Sequence, residues 1–336
     1  MKKFMIFDGN SVINRAFYGV PLLSTKQGIY TNAVYGFLNI LIKYLTNDRP
    51  DYLAVAFDVR GKTFRHKRFD GYKAQRKGMP EELAMQMPIL KQVLKAMNIE
   101  MLEMPGYEAD DIIGTVARKC NENGVECIIT TGDRDSFQLV SENTCVYLTS
   151  TRMGKSETKV ITPETIMETY GVEPRKMIDI KSLMGDSSDN IPGVHGVGEK
   201  TAKDLLKTYG DIENLYKHTN ELKGKLQEKI INGKDSAYLS KTLATINCNC
   251  GVDTDLNKMT IPKLFSIDVK KRFIELEFKT LYKKDELFES STQTDLKTEK
   301  VEIKKATIVK VEDLSEVQSI RVFPVALTIN PLYINI

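Results

Sequence analysis

Histidine is nearly absent from this chain of 336 residues; His66, His195 and His218 are all it has. A histidine-rich zinc site, or a catalytic triad built on histidine, has little to work with. Cysteine is scarce as well. Cys120, Cys127, Cys145, Cys248 and Cys250 form no disulfide ladder, and one Cys-x-Cys without a second pair is a weak zinc signal, so reduced structural thiols are expected. Long apolar runs are missing too. Only Phe4 to Phe7 separate Met1-Lys2-Lys3 from Asp8, too short for a signal-peptide core, and no later stretch could span a bilayer. The cytoplasm is therefore the expected compartment, with no membrane partner. Excess charge is also small: 48 basic and 45 acidic residues leave +3, below the excess of a strongly basic nucleic-acid binder. What chemistry the chain has must rest on oxygen ligands and on Lys and Arg.

Oxygen ligands are plentiful and clustered. Nine carboxylates stand where apolar runs give way to turns: Asp8, Asp58, the run Glu108-Ala109-Asp110-Asp111, Asp133 with Asp135, and Asp186 with Asp189. Acids gathered near one point repel by about 1–4 kcal/mol per close pair at water-like to intermediate dielectric, so they need cations between them. Magnesium or manganese suits an all-oxygen set. Glu108, Asp110 and Asp111 could instead cap the helix that follows Pro105-Gly106. Three acids in four residues exceed what a cap needs, and Asp133-Arg134-Asp135 repeats the pattern at the next strand end. With the acids covered by metal, a large basic excess would face a polyanion.

Length and a 41% hydrophobic content allow two domains. Lys3 to Phe7, Tyr52 to Phe57, Ile99 to Met104 and Val125 to Thr131 read as buried strands. Helical patterns over Ala33 to Leu45, Glu81 to Met97 and Ala109 to Asn121 lie between them. Within the second, Met85, Ile89, Val93 and Met97 are expected in the core, with a kink at Pro88. The alternation predicts an α/β fold with a mostly parallel central sheet flanked by helices over residues 1–173, its site beyond the carboxyl ends of the strands. From 174 to about 288 the strand signal fades. Arg175 to Met184, Glu199 to Tyr209, Lys225 to Ile231, Ala237 to Asn247 and Asp268 to Leu276 predict a smaller helical domain. Residues 289–306 read as a polar linker. Residues 307–336 carry new strand-like runs, too few for a core alone, and read as the truncated start of a following domain.

Two further segments carry chemistry. Arg60 to Lys77, the front of a basic region reaching about 97, holds eight Lys/Arg and one acid, with Phe64, Phe69 and Tyr72 interleaved. Arg65, Arg68, Phe69, Tyr72, Lys73 and Arg76 fall on one stripe if the segment is helical. That stripe suits a grip on a single strand, with rings for bases and cations for phosphates, against the plainer reading of a solvated basic face. Gly71 and Gly78 predict a helix that is mobile or forms around its ligand. In the second segment, Gly193, Gly196 and Gly198 precede a helix opening at Glu199, Lys200 and Thr201. This is a helix-hairpin-helix type of turn that lets backbone amides approach a phosphate. It also resembles a Walker A loop, but Glu199 stands where the lysine should follow Gly198. His195 is read as a turn residue.

Phe7-Asp8-Gly9-Asn10, Ala56-Phe57-Asp58, Tyr72-Lys73-Ala74-Gln75-Arg76, Gly106-Tyr107-Glu108-Ala109-Asp110-Asp111, Thr131-Gly132-Asp133-Arg134-Asp135 and Gly185-Asp186-Ser187-Ser188-Asp189-Asn190-Ile191-Pro192-Gly193 together resemble the 5′-nuclease domain of bacterial DNA polymerase I, in the flap endonuclease superfamily. The resemblance runs in order from residue 1 to about 288. It implies a PIN-like, flap-endonuclease-like fold and a structure-specific nuclease acting on 5′ flaps, nicks and RNA–DNA primer junctions, as the front of a polymerase in replication and repair. It also implies two divalent ions. Asp8, Asp58, Glu108, Asp110 and Asp111 would hold or orient the first, and Asp133, Asp135, Asp186 and Asp189 the second. Lys73 and Arg76 would contact the scissile phosphate. Arg15, Arg65, Arg68 and Tyr72 would contact DNA, Tyr72 by stacking on a base. The loop through Gly193, Gly196 and Gly198, with Lys200 and Thr201, would hold duplex backbone beside a potassium ion. A monomer is expected. The following domain would be 3′-5′ exonuclease-like, and Val325 to Ile329 lack the carboxylates of a proofreading site. A junction-binding protein that does not cut is the alternative, though binding alone would be better served without the acids.

Overall fold

The computed structural model describes residues 1–288 apart from 153, 154 and 262, and leaves aside the side chains of 151, 152, 155 and 156. The expected linker and following domain lie outside the described residues. The first part of the chain runs β1 Lys3–Asp8, α1 Gly9–Gly19, α2 Asn32–Asp48, β2 Tyr52–Phe57, α3 Phe64–Arg68, α4 Glu81–Ala96, β3 Glu100–Glu103, α5 Ala109–Glu122, β4 Glu126–Thr131, β5 Thr144–Arg152, β6 Lys155–Ile161 and α6 Pro163–Tyr170. The sheet order is β3-β2-β1-β4-β5-β6, parallel through β5, with β6 antiparallel at the edge. This is the predicted mostly parallel α/β sheet.

The apolar strands are apolar on both faces because both are covered. Along β1, Met5 and Phe7 face a core shared with Phe37, Leu41 and Leu90 of α2 and α4. Phe4 and Ile6 face the other side, against Ile112, Ile113 and Val116 of α5. The chain leaves β1 for β2 on one side, while β4 pairs on the other. The sheet therefore reverses direction of growth at β1, and a crevice opens there at the carboxyl ends of the strands. Asp8 ends β1 at that crevice.

Further on come α7 Met177–Met184, α8 Glu199–Tyr209, α9 Ile212–Lys217, α10 Gly224–Asn232, α11 Lys234–Ala244, α12 Ile267–Glu275 and α13 Lys279–Tyr282. Helices α7 to α11 share a small core of their own, with Ile180, Leu183, Leu205, Leu206, Leu215 and Ile230 at its centre. The predicted helical block to 288 is divided, however. Leu264, Val269, Phe273, Phe278, Leu281 and Phe288 pack with Phe37 and Leu41 in the first core, so this stretch returns to the α/β layer. Helix α4 is continuous through Pro88. Val93 and Met97 are buried as expected, but Met85 is 49% exposed. The buried neighbour is Gln86, whose Oε1 accepts from Ala33 N at 2.8 Å and so satisfies an amide in the first turn of α2.

Candidate metal centre and basic layer

Most of the acids are placed by turns at strand ends, and Asp186 and Asp189 by the loop after α7. Asp8 caps α1, its Oδ1 accepting from Ser11 N at 2.9 Å, while Thr131 Oγ1 donates to its Oδ2 at 2.8 Å. Asp58 Oδ1 accepts from Ala109 N at 2.8 Å, which joins the end of β2 to the start of α5. Asp133 Oδ1 accepts from Asp135 N at 3.0 Å, fixing the turn after β4. Asp186 Oδ1 accepts from Ser188 N at 2.7 Å, in the loop after α7. Eight of the nine acids, Asp8, Asp58, Glu108, Asp110, Asp133, Asp135, Asp186 and Asp189, line one cavity of about 1000 Å³ with Arg15, Lys73, Arg76 and Lys181.

Asp111 is the exception. It is fully buried, and its two carboxylate oxygens take both arms of the Arg65 guanidinium at 2.8 Å. Oδ1 also accepts from Asn247 N at 2.8 Å, and Oδ2 from Glu108 N at 3.0 Å. Its lone pairs are spent, so Asp111 leaves the expected ligand group. The capping reading is realised here, in a box between Glu108 and Asp111, while Asp110 faces the cavity.

Arg65 is corrected with it. Only 2% exposed, it also donates to the Leu243 and Thr245 carbonyls at 2.9 Å and ties α3 and α5 to the end of α11 rather than meeting DNA. Burial works against its charge, but Asp111 and Glu108 more than offset that and hold its pKa above the ordinary arginine value. Tyr72, 3% exposed, does not stack on a base; its hydroxyl donates to Glu108 Oε2 at 3.0 Å. The expected helical stripe is broken as well. Helix α3 ends at Arg68, and Lys73 adopts φ 56°, a left-handed conformation uncommon outside glycine. Its amide donates to Asp189 O at 2.9 Å, and Asn190 Nδ2 donates to Gly71 O at 2.7 Å. The segment is thus laced to the loop after α7. Lys73 Nζ reaches Glu108 Oε1 at 2.9 Å and Asp189 Oδ2 at 3.8 Å, and Arg76 pairs with Asp189. Arg15 and Arg68 remain exposed, where a polyanion could reach them.

Charge crowding shows in the proton affinities. Burial, aided by Asp58 and opposed by the Ser11 and Thr131 hydrogen bonds, pushes the Asp8 carboxyl up to about 7. Burial and then the charges of Asp8, Asp133 and Asp135 push Asp110 well above the usual carboxylate range. Burial raises Asp135 to about 6 although Lys181 opposes it, whereas at half-open Asp186 Lys181 outweighs burial and lowers the carboxyl to about 2. Among the acids lining the cavity, Asp110 Oδ1 is buried with no hydrogen-bond partner. A buried orphan acceptor among carboxylates is costly unless something positive meets it, and a hard divalent ion fits that donor set. Among the described residues, no three acids converge on a single point, and Lys73, Arg76 and Lys181 hold Glu108, Asp189, Asp135 and Asp186.

In the glycine turn, Gly193 and Gly196 have positive φ. Gly193 N donates to Ser240 Oγ at 2.9 Å, so this amide serves the fold rather than a phosphate. Gly198 and Lys200 are exposed, and Gly198 opens α8 without a side-chain cap. Thr201 follows in the same first turn. Those amides can take a phosphate. The Gly193 carbonyl, 2.6 Å from the Ser236 hydroxyl, offers neutral oxygens of the type potassium takes.

Residues 3–171 match the model of the 5′-3′ exonuclease N-terminal resolvase-like domain, and residues 172–265 match that of the 5′-3′ exonuclease C-terminal SAM fold. The chain belongs to the 5′-3′ exonuclease family. A DNA polymerase I from Caldicellulosiruptor bescii is 40% identical over 94% of this chain and 37% of its own length. The 5′-3′ exonuclease of Aquifex aeolicus is 38% identical over 88% of this chain and the whole of its own. The chain spans little more than a third of the first polymerase I relatives it matches. In fold it is similar to the bacteriophage T5 flap endonuclease, solved as a pseudo-enzyme-product complex with DNA and metal ions, at a TM-score of 0.59 and 17% identity, covering 87% of this chain and all of that one. No described helix is long and apolar enough to cross a membrane.

Sequence reasoning missed Lys181, which reaches Asp186 Oδ2 at 2.8 Å and pairs with Asp135. Its signal was a lysine inside the largely apolar run Ile178 to Met184, which also holds Asp179. It also missed Thr131, whose hydroxyl orients Asp8.

Proposed function

We propose that the chain is a divalent-metal-dependent 5′-nuclease that hydrolyses phosphodiester bonds in DNA at 5′ flaps, nicks and primer junctions, as the nuclease part of a DNA polymerase I. The observation that carries this reading is the orphaned, buried Asp110 oxygen in a cavity lined by eight carboxylates and rimmed by Lys73 and Arg76. Asp8, Asp58, Glu108 and Asp110 would hold one ion, and Asp133, Asp135, Asp186 and Asp189 the other, with magnesium or manganese matching the donor chemistry. Bound there, the ions supply charge and an activated water for phosphodiester hydrolysis. The chain's own cations do the rest. Lys73, held in strain against Glu108, and Arg76, held on Asp189, can swing the short distance from carboxylate to phosphate and place positive charge where the transition state needs it. Exposed Arg15 and Arg68 would take the single-stranded arm. The turn Gly196 to Thr201 would hold duplex backbone, with potassium beside it at the Gly193 carbonyl.

The test is a labelled 5′-flap duplex incubated with magnesium or with chelator, for the wild type and Asp110→Asn. Magnesium-dependent cutting near the junction, lost in the variant, is expected. Tight binding without cutting in either magnesium or manganese would replace this reading with a junction-binding protein.

A further inference from the structure

Lys181 joins two parts of the fold at the acid cavity. It projects from α7, with its side chain 17% exposed, and its ammonium lies between Asp186 and Asp135. Asp186 comes from the loop after α7, whereas Asp135 follows β4 of the sheet. One fixed positive charge therefore half-neutralises two acids and clips the helical part onto the strand ends. The other side of the cavity differs. None of the ion pairs among the described residues involves Asp8, Asp58, Asp110 or Asp133, while Lys73 and Arg76 serve Glu108 and Asp189. A divalent ion entering beside Asp8 and Asp110 meets carboxylates with no cation in contact, Lys73 being held nearby on Glu108. One entering beside Asp135 and Asp186 must displace or share with an ammonium already in hydrogen-bond contact.

We propose that Lys181 is a positioning residue of the metal centre, an internal cation that holds Asp135 and Asp186 in place and competes with the second divalent ion for them. The two ions are then bound unequally: the first tightly, the second weakly until a substrate phosphate adds negative charge and draws Lys181 and the ion together. The inference rests on the reading of the cavity as a divalent metal centre. Charge alone sets its direction, since removing a unit positive charge a few ångströms from a cation site strengthens that site.

The experiment is a Mn²⁺ titration of the full chain without DNA, read by the electron paramagnetic resonance of free Mn²⁺. Wild type is compared with Lys181→Met, Lys181→Gln and Lys181→Arg. Wild type should bind one ion tightly and one weakly. Lys181→Met and Lys181→Gln should bind the second about tenfold tighter, and Lys181→Arg, which keeps the charge, should stay within about threefold of wild type. A methionine variant that folds only with Mn²⁺ present is the same competition seen from folding. One that stays unfolded at saturating Mn²⁺ overturns the inference, since the ion then cannot replace the lysine. Wild type that binds two ions, with charge-free variants no tighter, overturns the inference alone. Wild type that binds no Mn²⁺ overturns the metal-centre reading as well.

Discussion

Asp110 and Asp111 are neighbours in the first turn of α5, yet they belong to opposite regions of the molecule. Asp111 points into a layer where each carboxylate already has a cation: Arg65 on Asp111 and Glu108, Lys73 on Glu108, Arg76 on Asp189. Asp110 points into a cavity wall shared with Asp8, Asp58 and Asp133, has a buried oxygen with no partner, and holds its proton far above the usual range. Two identical side chains thus take a structural role and a chemical one. The difference lies in the supply of positive charge. Asp111, with every lone pair answered by the chain, is mortar; Asp110, with an oxygen the chain leaves unanswered, waits for an ion.

Neutralising each in turn should separate the two roles most sharply. Asp110→Asn should lower magnesium-dependent flap cleavage by about a thousandfold or more, because the cavity loses the ligand whose buried oxygen has no partner in the chain. Its metal-free melting temperature should hold or rise, since a buried repulsion is relieved. Asp111→Asn should do the reverse. Breaking a buried pair strands the Arg65 charge and costs about 3 kcal/mol or more, visible as a lowered denaturant midpoint without magnesium. Cleavage per folded molecule should change far less. Equal loss of stability in both variants would erase the distinction. Within the cation-rich layer, Lys73→Met should lower kcat about a hundredfold with flap affinity changed only a few-fold; a matching loss of affinity would make Lys73 a binding residue instead.

Sequence reasoning reached one side of this comparison. Strands β1, β2 and β4 are apolar runs ending in acids, and a parallel sheet with acids at its strand ends follows from that pattern alone. The partner of Asp111 lies elsewhere. Arg65 is 46 residues upstream, and the carbonyls that hold it, Leu243 and Thr245, are about 180 residues further on, so no local pattern marks it as buried. Arg65 and Tyr72 read as nucleic-acid contacts because a basic, aromatic segment looks alike whether its rings face solvent or Glu108. The β5–β6 hairpin escaped for another reason: Thr144 to Ile161 is rich in threonine and charge, which blurs the period-two signal of an edge. The return of Leu264 to Phe288 onto the first core was hidden because helical periodicity shows an apolar face without saying what it meets.

The smallest effect tests the comparison through protons. Asp8 and Asp135 titrate at about 7 and about 6 in the folded protein, against about 3.9 for an unperturbed aspartate. Between those values the folded chain holds protons that the unfolded chain releases, so this contribution to stability is full below about pH 4 and is lost as pH rises through 6 and 7. Asp186, held down to about 2 by Lys181, behaves oppositely: its contribution is present above about pH 4 and changes nothing between pH 6 and 8. In chelator, the melting temperature should therefore be a few degrees lower at pH 8 than at pH 6, on the scale of about 2–4 °C per kcal/mol for a domain of this size. Saturating magnesium replaces the missing protons with fixed positive charge and should raise the melting temperature more at pH 8 than at pH 6. An equal gain at both pH values would mean that the acids around Asp8 are already balanced by the chain, and the cavity would then be one more part of the structural layer.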